Sequence, residues 1–153
     1  MKTETNLIEA HIFRNNGGEL EFLLLKRAKT EIYPGLWQMV TGSIEKNEKA
    51  FQTALREIKE ETGITPVKFW IVPNVNSFYS EKYDSIYLIP VFAALANMND
   101  EVRISEEHCE FKWVTRKDAE KMLVWPGQIR SLNIICDYFI DKKNFFDLVE
   151  ITL

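Results

Sequence analysis

The residues best suited to chemistry lie between positions 56 and 61. Arg56, Glu57, Glu60 and Glu61 sit within residues 47–63, a segment whose periodicity predicts a helix. At about 100° per residue, Glu57, Glu60 and Glu61 fall on one side, beside an apolar stripe of Phe51, Ala54, Leu55 and Ile58. Carboxylates at i, i+3 and i+4 repel one another by a few tenths of a kcal/mol per pair, so something must offset them. Arg56 and Lys59 are near enough to do so, which would make this a solvated acidic face. Clustered hard oxygen donors are also what Mg²⁺ takes, with waters and substrate phosphates completing its shell.

The elements that must position these side chains can be read on either side. Asn47 is the expected N-cap, with Glu48 in the first turn; Gly63 fits the position after the last turn, and Pro66 lies just beyond. Before the helix, residues 7–13 and 19–27 read as a strand pair around the turn signal Asn15-Asn16-Gly17-Gly18. Residues 37–41 form a short apolar run. After the helix, residues 68–79 and 85–96 are rich in Val, Ile, Phe and Tyr and predict two longer strands. Residues 109–114 predict another strand. Thr115 with Asp118 predicts a capped short helix to Leu123, and residues 128–140 predict a last helix with Ile129, Leu132, Cys136 and Phe139 on one face. Residues 145–153 are apolar and open to three readings: strand, helical turn or dimer contact. Strands and helices do not alternate regularly, so the expected fold class is α+β, one domain over residues 1–153 with a mixed sheet between helices (an α/β/α sandwich).

Gly42, five residues, Glu48, seven residues, and then Arg56-Glu57-Ile58-Lys59-Glu60-Glu61-Thr62-Gly63-Ile64 follow one another in a pattern. It matches the Nudix box, G-x5-E-x7-R-E-U-x-E-E-x-G-U with U aliphatic, at every fixed position. The chain therefore resembles the Nudix hydrolases. That resemblance implies a pyrophosphohydrolase in which water attacks phosphorus of a nucleoside triphosphate-like substrate, with Mg²⁺ (or Mn²⁺ in its place) neutralising the phosphates. It implies Glu60 and Glu61 as metal ligands, with the Thr41 backbone carbonyl as another and Glu57 as ligand or base. Arg56 and Glu48 form an orienting ion pair in this reading, Gly42 allows a tight loop, and Gly63 ends the helix. Many relatives need a further carboxylate before a Trp-containing strand. Here Glu107 before Trp113 is the choice, as metal ligand or base.

Flanking residues bear on the substrate. Trp37-Gln38-Met39-Val40-Thr41-Gly42-Ser43 is similar to the W-Q-x-V-T-G-S segment of the dihydroneopterin triphosphate pyrophosphatase branch, which also accepts dATP, and Glu107-His108 to Trp113 echoes its E-H-x-x-x-K-W. Residues 69–91 depart from that branch. Arg27, then Lys26, are the expected phosphate-binding cations, and Trp37 and Tyr79 could stack on a base. A dinucleoside polyphosphate or nucleotide-sugar hydrolase with the same metal site is the alternative. A non-catalytic sensor domain is the third reading, but it would not need every box carboxylate.

Other classes fit less well. The net charge of −4 disfavours a nucleic-acid scaffold as partner. No P-loop and no G-x-S-x-G motif occurs. The two cysteines, Cys109 and Cys136, read as free thiols on apolar faces, and His11, in an apolar strand, reads as a satisfied core histidine. Residues 1–9 carry no apolar leader, and residues 86–96, broken by Pro90, are too short to span a bilayer. The expectation is a cytoplasmic protein acting on a small phosphorylated molecule, with a homodimer as a possible assembly.

Overall fold

The computed structural model describes residues 1–140 and 149–153. In chain order its elements are β1 (Lys2–Glu4), β2 (Leu7–Asn16), β3 (Glu19–Arg27), β4 (Trp37–Gln38), β5 (Val40–Ser43), α1 (Ala50–Thr62), β6 (Lys68–Ser80), β7 (Ser85–Leu95), β8 (His108–Thr115), α2 (Arg116–Met122), α3 (Pro126–Ile140) and β9 (Glu150–Ile151). The strands form a mixed sheet with the central order β4-β3-β2-β7-β6-β9; β5 adds to β2, β8 to β3 and β1 to β7. β2 pairs antiparallel with β3 and β5 but parallel with β7, and β6 and β7 form a long hairpin.

The period-2 alternation of the strands divides the core in two. On one face Ile8, Ala10, Ile12, Leu23, Leu25 and Val40 pack against Ala54 and Ile58 of α1, with Phe51 and Leu55 partly buried beside them. On the other face Phe13, Phe22, Leu24, Met39, Val91 and Ala93 pack against Ala119 of α2 and Leu132, Ile135 and Cys136 of α3. Burying each large apolar side chain contributes about 1.5–3 kcal/mol, so both helical layers are held mainly by their apolar stripes. This is the α+β layering expected from the sequence.

Four local expectations need correction. Helix α1 begins at Ala50 with Lys49 as N-cap; Asn47 instead has a φ of 72° in the turn before it, and the Lys49 N–H is taken by Gln52 Oε1 at 2.9 Å. Glu48 accordingly precedes the helix. Cys109 is exposed, while Cys136 is buried as expected. His11 is buried, but its Nε2 has no hydrogen-bond partner among the described residues, unlike the satisfied core histidine expected. Helix α3 starts at Pro126, whose missing N–H costs nothing in a first turn. Thr115 does cap α2, accepting from the Asp118 N–H at 3.4 Å. Of the apolar tail, residues 145–148 lie outside the described residues, and Glu150–Ile151 pairs with Phe69 and Trp70 of β6. No helix among the described residues is long and apolar enough to cross a membrane.

Candidate active site

The helix carrying the carboxylates is tethered at both ends. Gly63 closes it in the left-handed region (φ 74°), where a Cβ would be strained, and its N–H bonds the Lys59 carbonyl at 2.9 Å. Before the first turn, Glu48 is the anchor. It accepts from Arg56 Nε at 2.8 Å and Nη2 at 3.0 Å, and from the Thr53 hydroxyl at 2.7 Å. The Arg56 guanidinium foremost, then Thr53, holds the Glu48 carboxyl down at about 2. Arg56 extends the network to Glu57 Oε1 at 2.8 Å, Glu60 Oε2 at 3.3 Å and the Ser43 carbonyl at 3.2 Å. One planar guanidinium therefore fixes three carboxylates and the end of β5.

Gly42 serves a different purpose from the tight loop expected of it. It lies in β5 and its φ is not positive. A Cβ there would stand 2.3 Å from Glu57 Cγ, so the missing side chain is the space Glu57 occupies. The Glu57 carboxyl is pushed above its usual range by burial, with Arg56 opposing.

Glu61 is the most confined of the three, 3 % exposed, and its Oε2 has no hydrogen-bond partner among the described residues. Burial first, then the charges of Glu107 and Glu57, push its carboxyl up to about 9, while Arg27 acts in the opposite direction. Glu107 and Arg27 therefore stand close enough to be felt at Glu61, although both come from loops or strand ends distant in sequence. They are joined locally, since the Glu107 carbonyl accepts the Ala28 N–H at 2.9 Å. Glu60 is exposed at the edge of the group.

Two residues behind Glu61 were not among the expected site residues. His108 is buried, with Nδ1 3.9 Å from Glu61 Oε2 and Nε2 3.1 Å from Gln38 Nε2. Burial, then the Arg27 charge, pulls its imidazole down to about 4. A Gln inside the apolar run 37–41 is the signal that would have marked this pair.

The remaining expected residues divide. The Arg27 charge acts on Glu61, while its guanidinium donates to the Ile32 carbonyl at 2.5 Å and pairs with Glu31 at 3.5 Å. Lys26 points to the other face of the sheet, 3.5 Å from Glu110 and over the Trp37 ring. Trp37 is half-buried, with Lys112 also over its ring, and lines a cavity of about 470 Å³ with Tyr33, Pro34 and Met122. Tyr79 is exposed near the β6–β7 turn, where its hydroxyl donates to Asp84 at 3.0 Å; the fold does not bring it to the carboxylates. The Thr41 backbone pairs with Glu9 in the β2–β5 ladder, one residue from Gly42.

Among the described residues, no three acidic, His or Cys groups converge as a ready-made metal cage, and Arg56 is hydrogen-bonded to both Glu57 and Glu60. The surroundings of Glu61 nonetheless suit a hard cation. Its buried oxygen has no hydrogen-bond donor among the described residues, the nearby carboxylates Glu57 and Glu107 repel it, and carboxylate oxygens are the hard donors such an ion takes.

Comparison with known proteins bears on the family and the fold. A family model, NUDIX domain, matches residues 8–136. The chain is 33 % identical over 113 residues to the asymmetrical bis(5'-nucleosyl)-tetraphosphatase of Caenorhabditis elegans, covering 72 % of this chain and 79 % of that protein. It is 32 % identical over 119 residues to the nucleoside triphosphatase NudI of Enterobacter sp. (strain 638), covering 72 % and 82 %. Among solved structures, a C. elegans Ap4A hydrolase binary complex superposes with a TM-score of 0.75 at 25 % identity, covering 92 % of this chain and 99 % of that one. The NUDIX domain of Shewanella oneidensis NrtR, complexed with ADP ribose, shares the fold at a TM-score of 0.73 and 20 % identity, covering 90 % and 89 %. A complete box on a matching fold, with the family model spanning most of the chain, leads to one conclusion: the chain belongs to the NUDIX family and is a hydrolase.

Proposed function

We propose that this protein hydrolyses a phosphoanhydride bond in a nucleoside triphosphate-like substrate. The observation that carries the reading is Glu61, a buried carboxyl with an unpartnered oxygen, set beside Glu57 and Glu107 and opposite Arg27. Glu57, Glu60, Glu61, Glu107 and the Thr41 carbonyl are the proposed holders of Mg²⁺, with Mn²⁺ as a substitute. When bound, the ion supplies charge neutralisation for the phosphates and for the oxygen that leaves. Arg27 binds a phosphate oxygen outside the metal shell. Glu48 fixes Arg56, and Arg56 fixes the carboxylates, so the ligands meet the substrate already oriented. One of Glu57, Glu60 or Glu107 takes the proton of the attacking water. The water oxygen bonds to phosphorus, and the bridging oxygen departs with the leaving phosphate. The protein is proposed to act in the cytoplasm on free small molecules.

The segment Trp37 to Ser43 and the pair Glu107-His108 support dihydroneopterin triphosphate or dATP as the substrate type. A second reading, a dinucleoside polyphosphate, is supported by the 33 % identity to the tetraphosphatase. A hydrolysis assay with Mg²⁺ separates them, with nucleotide products resolved by ion-exchange chromatography and phosphate release read alongside. The panel is the common nucleoside triphosphates, dihydroneopterin triphosphate, diadenosine tetraphosphate and ADP-ribose, each with and without inorganic pyrophosphatase. Signal on a triphosphate that needs the added pyrophosphatase means inner-linkage cleavage and upholds the first reading. Turnover confined to diadenosine tetraphosphate upholds the second. Nucleotide binding with no turnover under Mg²⁺ or Mn²⁺ would overturn both.

A further inference from the structure

A second polar cluster lies on the opposite face of the sheet, under α3. Glu9 and His11 project into it from β2, although their neighbours on that strand are apolar; Glu9 is 3 % exposed. Asn76 Nδ2 donates to Glu9 Oε2 at 2.5 Å. Asn74 Nδ2 donates to Asn76 Oδ1 at 2.9 Å and to the Ser131 hydroxyl at 2.8 Å, and that hydroxyl donates to the Gly127 carbonyl at 3.0 Å. A register shift between Val72 and Val75 accompanies this arrangement in β6. Helix α3 closes on the cluster through Gly127, where a Cβ would stand 2.6 Å from Asn76 Oδ1.

The network orients Glu9 but leaves acceptors unfilled. A carboxylate offers about four lone-pair sites, and Glu9 accepts one hydrogen bond from the protein. Gln128, 7 % exposed at the start of α3, has an Oε1 with no partner among the described residues. His11 Nε2 is also unpartnered, 3.6 Å from Glu9 Oε2. Asn74, Asn76 and Thr41 are only half-buried, so the rim of the cluster reaches solvent.

This cluster is joined to the hydrolytic side through one strand. Glu9 is the register partner of Thr41, and the next residue, Gly42, makes room for Glu57. The two clusters thus stand on either side of β5, and in this reading the part of a substrate beyond its phosphates reaches around that strand to Glu9. That part must supply donors. A ring edge with a lactam N–H beside an exocyclic amine presents two adjacent donors to one carboxylate. Guanine and 2-amino-4-oxopteridines share this edge. Adenine and cytosine place a ring-nitrogen acceptor beside their amine, which would face the Glu9 lone pairs.

We propose that Glu9, held by Asn76, is the specificity-determining residue of this hydrolase and selects substrates bearing an amino-lactam ring edge. The proposal rests on the nucleoside triphosphate-like reading above and names its ring. The test compares kcat/KM for dGTP, dihydroneopterin triphosphate and dATP in the parent protein and in Glu9→Gln, which keeps the shape of the side chain. The parent is expected to prefer at least one amino-lactam substrate over dATP, and Glu9→Gln to lower that ratio at least about tenfold. The dGTP and pterin arms decide which ring is used. Calorimetric titration with GMP, AMP and neopterin monophosphate in EDTA reads ring selection without turnover, with GMP or the pterin expected to bind more tightly than AMP. Should Glu9→Gln not fold, Asn76→Ser is expected to lower the same ratio. A parent that prefers dATP, or a Glu9→Gln ratio equal to the parent's, overturns the proposal and leaves the hydrolase reading standing. Ring-selective binding without hydrolysis of any triphosphate upholds the proposal and overturns that reading.

Discussion

On the α1 face, Glu57, Glu60 and Glu61 come from little more than one helical turn, and a single guanidinium links two of them to Glu48. On the α3 face, Glu9 is held by a relay of amides from β6 and a hydroxyl from α3, with no arginine among the described residues hydrogen-bonded to it. The first arrangement concentrates negative charge and stiffens it with one cation. The second contains a single acid among neutral partners and leaves acceptors open. The contrast is that between a site for a cation with phosphates and a site for the edge of a neutral ring. Each face also clears space with a glycine: Gly42 for Glu57 and Gly127 for Asn76.

The largest effect is expected from Glu61→Gln. Replacing the carboxyl, the proposed metal ligand, by an amide of the same shape should lower kcat by about two to three orders of magnitude on every substrate. Initial rates at saturating Mg²⁺ and a far-UV circular dichroism spectrum check it; near-parental turnover would remove Glu61 from the chemistry. Arg56→Lys keeps the charge but not the fork, and a loss of roughly 10–100-fold is expected, again independent of substrate. Its pH signature has a definite sign. Glu48 is depressed to about 2 when folded, so the stability it lends is present above the ordinary carboxylate range and is lost as pH falls through about 2. Acid denaturation of Arg56→Lys should therefore begin at higher pH than in the parent.

The two glycines sharpen the contrast at smaller cost. Gly42→Ala and Gly127→Ala should each cost about 1–3 kcal/mol in urea unfolding, because an added methyl must displace a packed side chain. Their kinetics should separate, with Gly42→Ala slowing all substrates alike and Gly127→Ala altering the ratio between them. Identical kinetic profiles would mean that the faces are not functionally distinct. The smallest effect concerns the thiols. Cys109 is exposed, whereas burial pushes the Cys136 thiol up to about 11. Ellman's reagent should titrate one thiol in the native protein at pH 8 and two after denaturation.

The α1 face was largely legible in the sequence because its chemistry is a spacing within one helix. The Gly63 cap follows from its position just past a regular element, whereas the pairing of Arg56 with Glu48, which lies before the helix, was implied by the family resemblance. The start of α1 was not legible, since Asn47 satisfies the residue preference of an N-cap while its backbone turns left-handed. Gly42 was read as a turn former because clearance for a side chain fifteen positions away leaves no local mark. Placement of Lys26 and Arg27 on opposite faces does follow from strand alternation, but which face holds the carboxylates needs the assembled sheet. The α3-face cluster was hidden for the same reason. Glu9, Asn74, Asn76 and Gln128 look like solvated positions one by one, and β6 loses its simple alternation at the register shift. The sign that was present is the pair Glu9 and His11 within an otherwise apolar strand.

The parallel pairing of β2 with β7 has a consequence for the order in which the molecule becomes active. The partners Glu9 and Val91 lie roughly eighty positions apart, a closure whose entropic cost grows only slowly with loop length but which must precede the contacts that reward it. The box is complete by Ile64, yet β2 gains its parallel neighbour only when residues 91–95 join it. A folding chain therefore possesses all its box carboxylates before it possesses the sheet that aims them. Catalytic competence should arrive late, in the same kinetic phase as β7. Pulsed hydrogen exchange during refolding would show it: β2 and β7 amides should gain protection together, and protection of β2 and β5 well ahead of β7 would contradict it.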